Sequence, residues 1–346
     1  MMSPKKLFKE LFDCIRKDER AIRSALCLFH CRFTWMLLAV VVANAPSAIA
    51  ADCKSDPTDS YECQEPIAAE TTRGIALGSG LRSSAISSSA LAYNAAALPL
   101  GGLYHIEGNL DYQASNEVVG LGAVVVDSVT SKLAAGISFR GFISSADTDD
   151  ENRRDFDGID VYLGLGYPLG EAVSIGIAGR YNNFWRSDVL IEDELEVFSE
   201  TQDDTLAKGL NLDAAFRIVP AQNLQFALLA YNVVYDKRDA PYVPVMVGGS
   251  FSFNLDKYAT LGVDGLADVV SFESVQFLLG AGGEYFVSGV VPLRLGYRFD
   301  TGRKGHDVTA GIGYTDRHFG VDLSLRQRIV GGDETRLMAA LRFYVY

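Results

Sequence analysis

The sequence predicts a transmembrane antiparallel β-barrel of about fourteen strands. Residues 103–346 divide into about fourteen short segments that alternate apolar and polar side chains, an export signal precedes them, and the chain stops on the aromatic run F-Y-V-Y. Repeated alternation of period two behind an export signal is typical of outer-membrane barrels. Such barrels close on themselves and therefore satisfy every backbone group within lipid.

One segment shows why the pattern favours lipid over water. In residues 319–328, apolar side chains alternate with small or charged ones, in the order Phe319, Gly320, Val321, Asp322, Leu323, Ser324, Leu325 and Arg326. A soluble sandwich would either bury Asp322 and Arg326 without partners or expose the apolar face to water. A membrane barrel has the opposite arrangement, with apolar residues outside and a polar lumen.

Residues 1–50 are predicted to be a secretory signal peptide with an extended basic region. Residues 35–45 are apolar but too short to span a bilayer as a helix, basic residues precede them, and Ala48-Ile49-Ala50 forms an A-x-A cleavage signal. Either this basic region is long or translation begins further downstream. The alternative is a cytosolic amphipathic helix followed by a membrane anchor.

Cleavage there makes the chain more acidic. It removes eight basic and four acidic residues, so the net charge moves from −13 to −17, which excludes nucleic acid as a partner. In residues 51–66, predicted to be a periplasmic tail, Cys53 and Cys63 bracket a polar loop. A local disulfide between them is expected in an oxidising compartment.

Residues 67–102 are rich in Gly, Ala and Ser and show neither strand alternation nor a strong helical stripe. Their small side chains suit packing inside another structure. The predicted strands follow at 103–112, 118–127, 133–142, 158–167, 173–184, 209–219, 224–235, 243–255, 259–268, 274–285, 292–299, 307–314, 319–328 and 336–346. Twelve strands remain an alternative if the segments around Asp264 and Pro292 are wrongly divided.

The connections between these segments alternate in length. Residues 143–157, 186–208 and 236–242 are predicted to be polar outer connections, whereas the intervening turns are short, as at 128–131. Long outer loops and short periplasmic turns are the outer-membrane arrangement, and an even strand number places both ends of the barrel at the periplasm.

The outward face is assigned from pairs such as Ile175 and Ile177, and the opposite positions give the lumen. The predicted lumen residues are Glu107, Asp111, Arg140, Asp160, Arg180, Asp213, Arg217, Glu284, Arg294, Arg298, Asp322 and Arg326. Buried charges are tolerated when they form ion pairs or remain hydrated, so these residues either stabilise the barrel through a network of ion pairs or line a narrow aqueous path. Small lumen-facing residues that make room are predicted at Gly164, Gly166, Gly280, Gly282 and Gly283.

No catalytic, cofactor or metal site is predicted. His105, His306 and His318 show no spacing typical of an outer-membrane hydrolase, and His306 and His318 are assigned to short connections. The acidic residues of 187–208 are read as a solvated loop, with binding of cations that bridge lipopolysaccharide as the alternative. The expected partners are outer-membrane lipid, lipopolysaccharide and the barrel-insertion machinery, which would recognise the terminal aromatic strand.

Three runs resemble the FadL-like superfamily of outer-membrane transporters, including its PorV-like branch: G-I-A-L-G-S-G from Gly74, A-L-A-Y-N-A-A-A-L-P-L from Ala90 and H-I-E-G-N-L-D-Y from His105. Asn94 and Ala96 match the family's a-x-x-N-P-A motif, and Glu107 matches an acidic residue of its first strand. Ala95 stands where the family has Pro, whose fixed φ would rigidify the turn. The resemblance covers residues 74–112.

The resemblance implies a fourteen-stranded barrel whose residues 67–102 fold inward as a plug. Tyr93, Asn94, Ala95 and Ala96 would form the centre of that plug, and Asn94 would cap or bond a turn. The implied function is passage of small hydrophobic or amphipathic, fatty-acid-like compounds. The alternatives are a PorV-like scaffold that docks secreted or envelope proteins and a simple porin. Apolar residues lining a pocket beneath the plug would favour transport, and an open lumen would favour a porin.

Overall fold

The computed structural model describes residues 70–114, 117–144, 152–190, 202–234, 243–272, 274–332 and 334–345, without the side chains of 152–156, 186–190, 202–204 and 206. The predicted signal peptide (1–50) and the residues 51–66, with Cys53 and Cys63, lie outside the described residues. So do residues 191–201, the centre of the predicted acidic loop.

The described strands form one closed antiparallel barrel of fourteen strands, in which each strand pairs with its neighbours in sequence and the last pairs with the first. They are β1 Tyr104–Gln113, β2 Val118–Asp127, β3 Ala134–Ser144, β4 Asn152–Pro168, β5 Val173–Leu190, β6 Gln202–Ala221, β7 Leu224–Val234, β8 Met246–Asn254, β9 Ala259–Asp268, β10 Gln276–Val287, β11 Val291–Asp300, β12 Gly305–Thr315, β13 Phe319–Val330 and β14 Thr335–Val345. The predicted fold and strand number are confirmed. The alternative of twelve strands is wrong, because β9 and β11 form complete ladders on both sides.

Two predicted outer connections are wrong in their bounds. β3 and β4 extend into residues 143–157, while β5 and β6 extend into 186–208, so only 145–151 and 191–201 remain between the strands. Hydrogen bonding between strands continues where the sequence is polar on both faces. Apolar alternation, by contrast, ends where the strand leaves lipid, so the sequence pattern does not show these strand ends.

Two smaller differences have local causes. His306 lies in β12 and not in a connection. Its ring stacks on the ring of Phe299, with the ring centroids 4.4 Å apart. β8 begins at Met246, three residues later than predicted. Pro244 precedes it and has no N–H to donate to a ladder.

Both ends of the barrel lie at one rim. In β1, Tyr104 pairs with Val345 on one side and with Asp127 on the other. The connections at this rim are short, for example residues 169–172 and 222–223, so we call it the turn rim. β3 and β5 end, and β4 and β6 begin, at the opposite end of the barrel, which we call the loop rim; residues 145–151 and 191–201 separate these strands in the sequence. This agrees with a periplasmic turn rim and an outer loop rim.

The outer surface of the barrel is apolar. Leu210, Leu295 and Leu323 are 70%, 69% and 55% exposed, whereas the inward Ser324 is 5% exposed. Such a belt suits contact with hydrocarbon rather than water. A closed barrel with an apolar outer surface and a charged interior is the architecture of proteins in the Gram-negative outer membrane. This is the location that the sequence predicts.

The position of the apolar belt along β13 can be tested by placing a charge in it. We expect Leu323→Arg, near the middle of the strand, to lower the free energy of unfolding by about 2–4 kcal/mol, because the charge must enter hydrocarbon. Val330→Arg at the loop-rim end of β13 is the matched control and should cost about 0–1 kcal/mol. Urea titration of the barrel in lipid vesicles measures both. Equal costs would contradict the assigned position of the belt.

Residues 70–102 form four short helical pieces that the sequence pattern did not predict. Thr72–Ala76 and Ser87–Tyr93 are α-helices, and Arg82–Ser84 and Ala95–Leu100 are 3₁₀-helices. Helices of one or two turns are too short to show an apolar stripe and depend on tertiary packing. Within the described part of the chain, no helix is long and apolar enough to cross a bilayer.

Candidate functional site

The four helical pieces contact strands around the whole barrel. Thr72–Ala76 packs against β11 to β14, Arg82–Ser84 against β7 and β8, Ser87–Tyr93 against β1 to β4, and Ala95–Leu100 against β3 to β6. Residues 70–102, which we call the lumen segment, are therefore surrounded by the strands. Whether the segment closes the passage stays a prediction.

Buried ion pairs attach the lumen segment to the strands. Arg73 Nη2 lies 2.9 Å from Glu284 Oε1, and Arg82 Nη1 lies 3.0 Å from Asp264 Oδ2. Glu284 also pairs with Arg294 on β11 at 2.6 Å. These side chains are almost fully buried, so each charge depends on its partner to offset the loss of water.

A second charged cluster lies near the loop rim. Glu70 Oε1 lies 3.1 Å from Arg326 Nη1, and the Glu70 carbonyl accepts a hydrogen bond of 2.5 Å from Arg140. Arg326 also contacts Glu334, in the connection before β14, at 2.7 Å. Burial alone raises the pKa of Glu334, but the guanidiniums of Arg326 and Arg328 outweigh it and lower the pKa to about 2.

A third attachment lies toward the turn rim. The Ser88 hydroxyl donates a hydrogen bond of 2.7 Å to Glu107 Oε2 on β1. Arg342 Nε on β14 also donates to this oxygen at 2.8 Å, and His105 Nε2 lies 3.3 Å from it. Glu107 is the residue that matches the acidic residue in the first strand of the FadL-like family. Its carboxylate contacts both the lumen segment and β14, at the place where β1 and β14 close the barrel.

The structure places the predicted lumen residues on the inner face of the strands. Those with 8% or less exposure are Glu107, Asp111, Arg140, Asp160, Asp213, Arg217, Glu284, Arg294, Arg298, Asp322 and Arg326. The remaining one, Arg180, makes two hydrogen bonds to Asp160, of 3.1 and 3.2 Å. Many of these residues pair with one another or with the lumen segment; a role in selectivity stays a prediction.

Several inward glycines make room for the lumen segment. A Cβ added at Gly280 would lie 2.6 Å from the Gly78 carbonyl oxygen, and one at Gly166 would lie 2.9 Å from Pro99 Cδ. Gly164 and Gly282 likewise face the segment. Gly283 was assigned wrongly to the lumen, because it points outward toward Leu261. Four consecutive glycine or alanine residues, 280–283, hide the alternation there.

Gly176 on β5 offers a test of this close packing. A Cβ at Gly176 would overlap the backbone at Ala95 and Ala96, whereas one at Gly179, on the same strand, would meet nothing within 4 Å. We expect Gly176→Leu to displace the segment and to speed its cleavage by protease at least tenfold in the purified barrel. Gly179→Leu should leave the cleavage rate unchanged. Equal rates in both variants would contradict the packing described here.

The predicted plug residues hold the lumen segment together. Asn94 Nδ2 donates a 2.9 Å hydrogen bond to the Arg82 carbonyl, so Asn94 joins two helical pieces rather than capping its own turn. The Tyr93 hydroxyl accepts a hydrogen bond from Thr71 N at 2.9 Å. Ala95 and Ala96 pack where Gly176 leaves space.

A cavity of about 90 Å³ lies between the lumen segment and the loop rim. Tyr93 and Arg82 of the segment line it, together with apolar and aromatic side chains of the strands: Tyr162, Phe184, Tyr231, Met246, Leu266 and Leu278. Charged side chains, including Asp213 and Asp300, complete the lining. These residues come from many strands, so no local sequence signal marks the cavity.

Comparison with known proteins identifies the fold. No family model and no curated protein matches the chain. Among solved structures, the toluene transporter TbuX of Ralstonia pickettii is 11% identical, with a TM-score of 0.57 over 80% of this chain and 97% of that one. The toluene transporter TodX of Pseudomonas putida is 11% identical, with a TM-score of 0.57 over 81% and 98%.

A FadL homologue of Pseudomonas aeruginosa is also similar, with 12% identity and a TM-score of 0.56 over 79% of this chain and 96% of that one. At such low identity the likeness concerns the fold. This chain has the fold of the FadL-like barrels, as the short motifs in residues 74–112 predict.

Proposed function

We propose that this protein is an outer-membrane channel that carries small hydrophobic or amphipathic compounds inward through its lumen. The observation that carries the proposal is the cavity between the loop rim and the lumen segment. Aromatic and aliphatic side chains form much of its wall, and a few charged groups converge on it, as is usual in sites for small molecules. The fold shared with toluene transporters supports the same class of compound.

The size of the cavity favours compact compounds. A buried water needs roughly 10–15 Å³ by the same measure. The cavity therefore has room for a small organic molecule, such as one aromatic ring with a short substituent. A long acyl chain would require the lumen segment or the loop rim to move. Among the fatty-acid-like and other amphipathic compounds that the sequence suggests, we favour the compact ones.

The lumen segment is proposed to act as a plug. It contacts strands around the whole barrel, and buried ion pairs attach it to them. A simple porin has an open aqueous lumen. The attached segment therefore supports selective passage rather than free diffusion of hydrophilic solutes.

Binding by the detergent-extracted protein tests the proposal. We expect native mass spectrometry to detect one-to-one complexes with toluene-sized hydrophobic compounds and none with glucose. Met246→Trp should fill the cavity and abolish the complexes, whereas Phe253→Trp, farther along β8 and away from the cavity lining, should retain them. Absence of hydrophobic complexes in the unaltered protein, or their persistence in Met246→Trp, would count against this cavity as the binding site.

A further inference from the structure

Asp213 on β6 is a buried carboxylate that lines this cavity, with 8% of its surface exposed. Several other inward carboxylates contact an arginine; for example, Asp160 contacts Arg180 at 3.1 Å, and Asp264 contacts Arg82 at 3.0 Å. Asp268, at the loop-rim end of β9, instead accepts hydrogen bonds from the backbone N–H groups of Val270 and Ser271. Among the described residues, no Arg or Lys nitrogen lies within 4.0 Å of the Asp213 carboxylate. Buried carboxylates normally require such a partner, so Asp213 needs another explanation.

A bulge between β6 and β7 holds Asp213 in place. Its Oδ1 accepts a hydrogen bond of 2.7 Å from the backbone N–H of Asn232. Asn232 has φ of 54°, in the left-handed region that Asn tolerates better than most residues, and the register shifts there between Leu212 and Ala214. Asn232 Nδ2 donates to the Pro244 carbonyl at 2.8 Å, which fixes the bulge against the start of β8.

The bulge satisfies only one oxygen of the carboxylate. Within the described parts of the chain, no donor forms a hydrogen bond to Asp213 Oδ2. The neighbouring hydroxyl of Tyr231 is already used, since it donates to the Tyr93 carbonyl at 2.5 Å. Arg180 makes two hydrogen bonds to Asp160 and lies over the Tyr162 ring, 4.7 Å from its centroid. An acceptor is thus fixed in a cavity whose wall is largely aromatic and aliphatic. Another carboxylate of the lining, Asp300, is paired with Arg303 at 2.9 Å.

We propose that Asp213 anchors the hydrogen-bond donor of a small, mostly apolar ligand, either a hydroxyl or a protonated amine. The apolar body of the ligand would pack against Phe184, Met246 and Leu266. The inference rests on the proposed function and narrows its substrate class. A pure hydrocarbon would fill the same space but would leave the buried acceptor without a donor, and sites built around such an acceptor discriminate against ligands that lack the donor.

Titration calorimetry of the full-length protein in detergent tests the anchor with four ligands of one size. Benzyl alcohol and benzylamine carry a donor, toluene carries none, and benzoate carries an anionic acceptor. We expect at least one donor ligand to bind ten or more times as tightly as toluene, and benzoate to bind no better than toluene. Preference for benzylamine alone would indicate an ion pair, and equal binding of both donors would indicate a neutral hydrogen bond; both results support the anchor.

Two variants separate the carboxylate from overall charge. Asp213→Asn keeps the size of the side chain and should reduce the preference of the tighter-binding donor ligand over toluene to about onefold. Glu171→Gln, at an exposed turn-rim position, removes one negative charge far from the cavity and should leave the preference unchanged. Folding of each variant is checked by gel electrophoresis, in which a folded barrel migrates differently before and after heating. If Asp213→Asn fails this check, Asp213→Ala takes its place.

Different results overturn different claims. Toluene binding as tightly as both donors, benzoate binding most tightly, or an unchanged preference in Asp213→Asn would overturn the anchor while leaving passage of hydrophobic compounds intact. If none of the four ligands binds the unaltered protein, both the anchor and the proposed binding cavity fail.

Discussion

Deletion of residues 67–98 is expected to turn a nearly silent protein in planar lipid bilayers into one with clear ion conductance. The lumen segment contacts strands around the barrel, and its removal would leave a polar, charged inner wall open to water. Residues 99–102 remain so that β1 can begin in its native position. Single-channel recording at fixed salt and voltage measures the effect.

A truncation of another kind controls for general damage to the barrel. Removal of residues 192–200, in the acidic connection between β5 and β6, leaves the lumen segment intact and should leave the protein silent. If the intact protein already conducts as an open pore, the plug and the selective passage proposed here are both wrong, and the porin alternative takes their place.

Glu284→Ala is expected to cause the largest loss of stability among single substitutions. Glu284 pairs with Arg73 of the lumen segment and with Arg294 of β11, and all three side chains are buried. Removing one partner of a buried ion pair costs about 3–5 kcal/mol, because a charge is left without compensation. Arg294 retains its contact with Asp322 at 2.8 Å, so the loss falls mainly on Arg73.

The free energy of unfolding of this variant is measured by urea titration in lipid vesicles. Glu171→Ala, at an exposed turn, should change it by only about 0.5 kcal/mol or less. The protease test used for Gly176→Leu should also detect a loosened lumen segment in Glu284→Ala. A variant as stable as the unaltered barrel, with a segment that is still protected, would show that this ion pair does not hold the segment.

The barrel itself was predictable because lipid imposes a simple local rule. In β13, Leu323 faces hydrocarbon and Ser324 faces the lumen, so neighbours in sequence carry the information on facing. β2 and β9 begin and end at the predicted residues. The rule fails outside the lipid, where β5 continues to Leu190 through a polar sequence that was assigned to a loop.

The interior was predictable only in part. Inward charges such as Asp160 and Arg298 follow from alternation, but their partners do not. Arg73 and Glu284 are separated by 211 positions, and nothing near either residue indicates the other. The helical pieces of the lumen segment were missed because they are short.

The cavity was missed for the same reason as the distant ion pairs. Its wall is assembled from strands spread over much of the chain. The special position of Asp213 depends on the left-handed backbone of Asn232, which the sequence does not indicate. The sequence predicts that Asp213 faces the lumen. It does not predict that, among the described residues, no arginine pairs with its carboxylate.

Uptake by living cells tests the central claim most directly, namely that small hydrophobic compounds pass through this lumen. The measurement is the initial rate of radiolabelled benzyl alcohol and toluene uptake by Gram-negative cells with intact lipopolysaccharide and no FadL-like channel of their own. We expect the unaltered protein to raise the rate at least tenfold for one of these compounds, Met246→Trp to remove the increase, and glucose uptake to stay constant. No increase for either compound, or an equal increase for glucose, would contradict the claim.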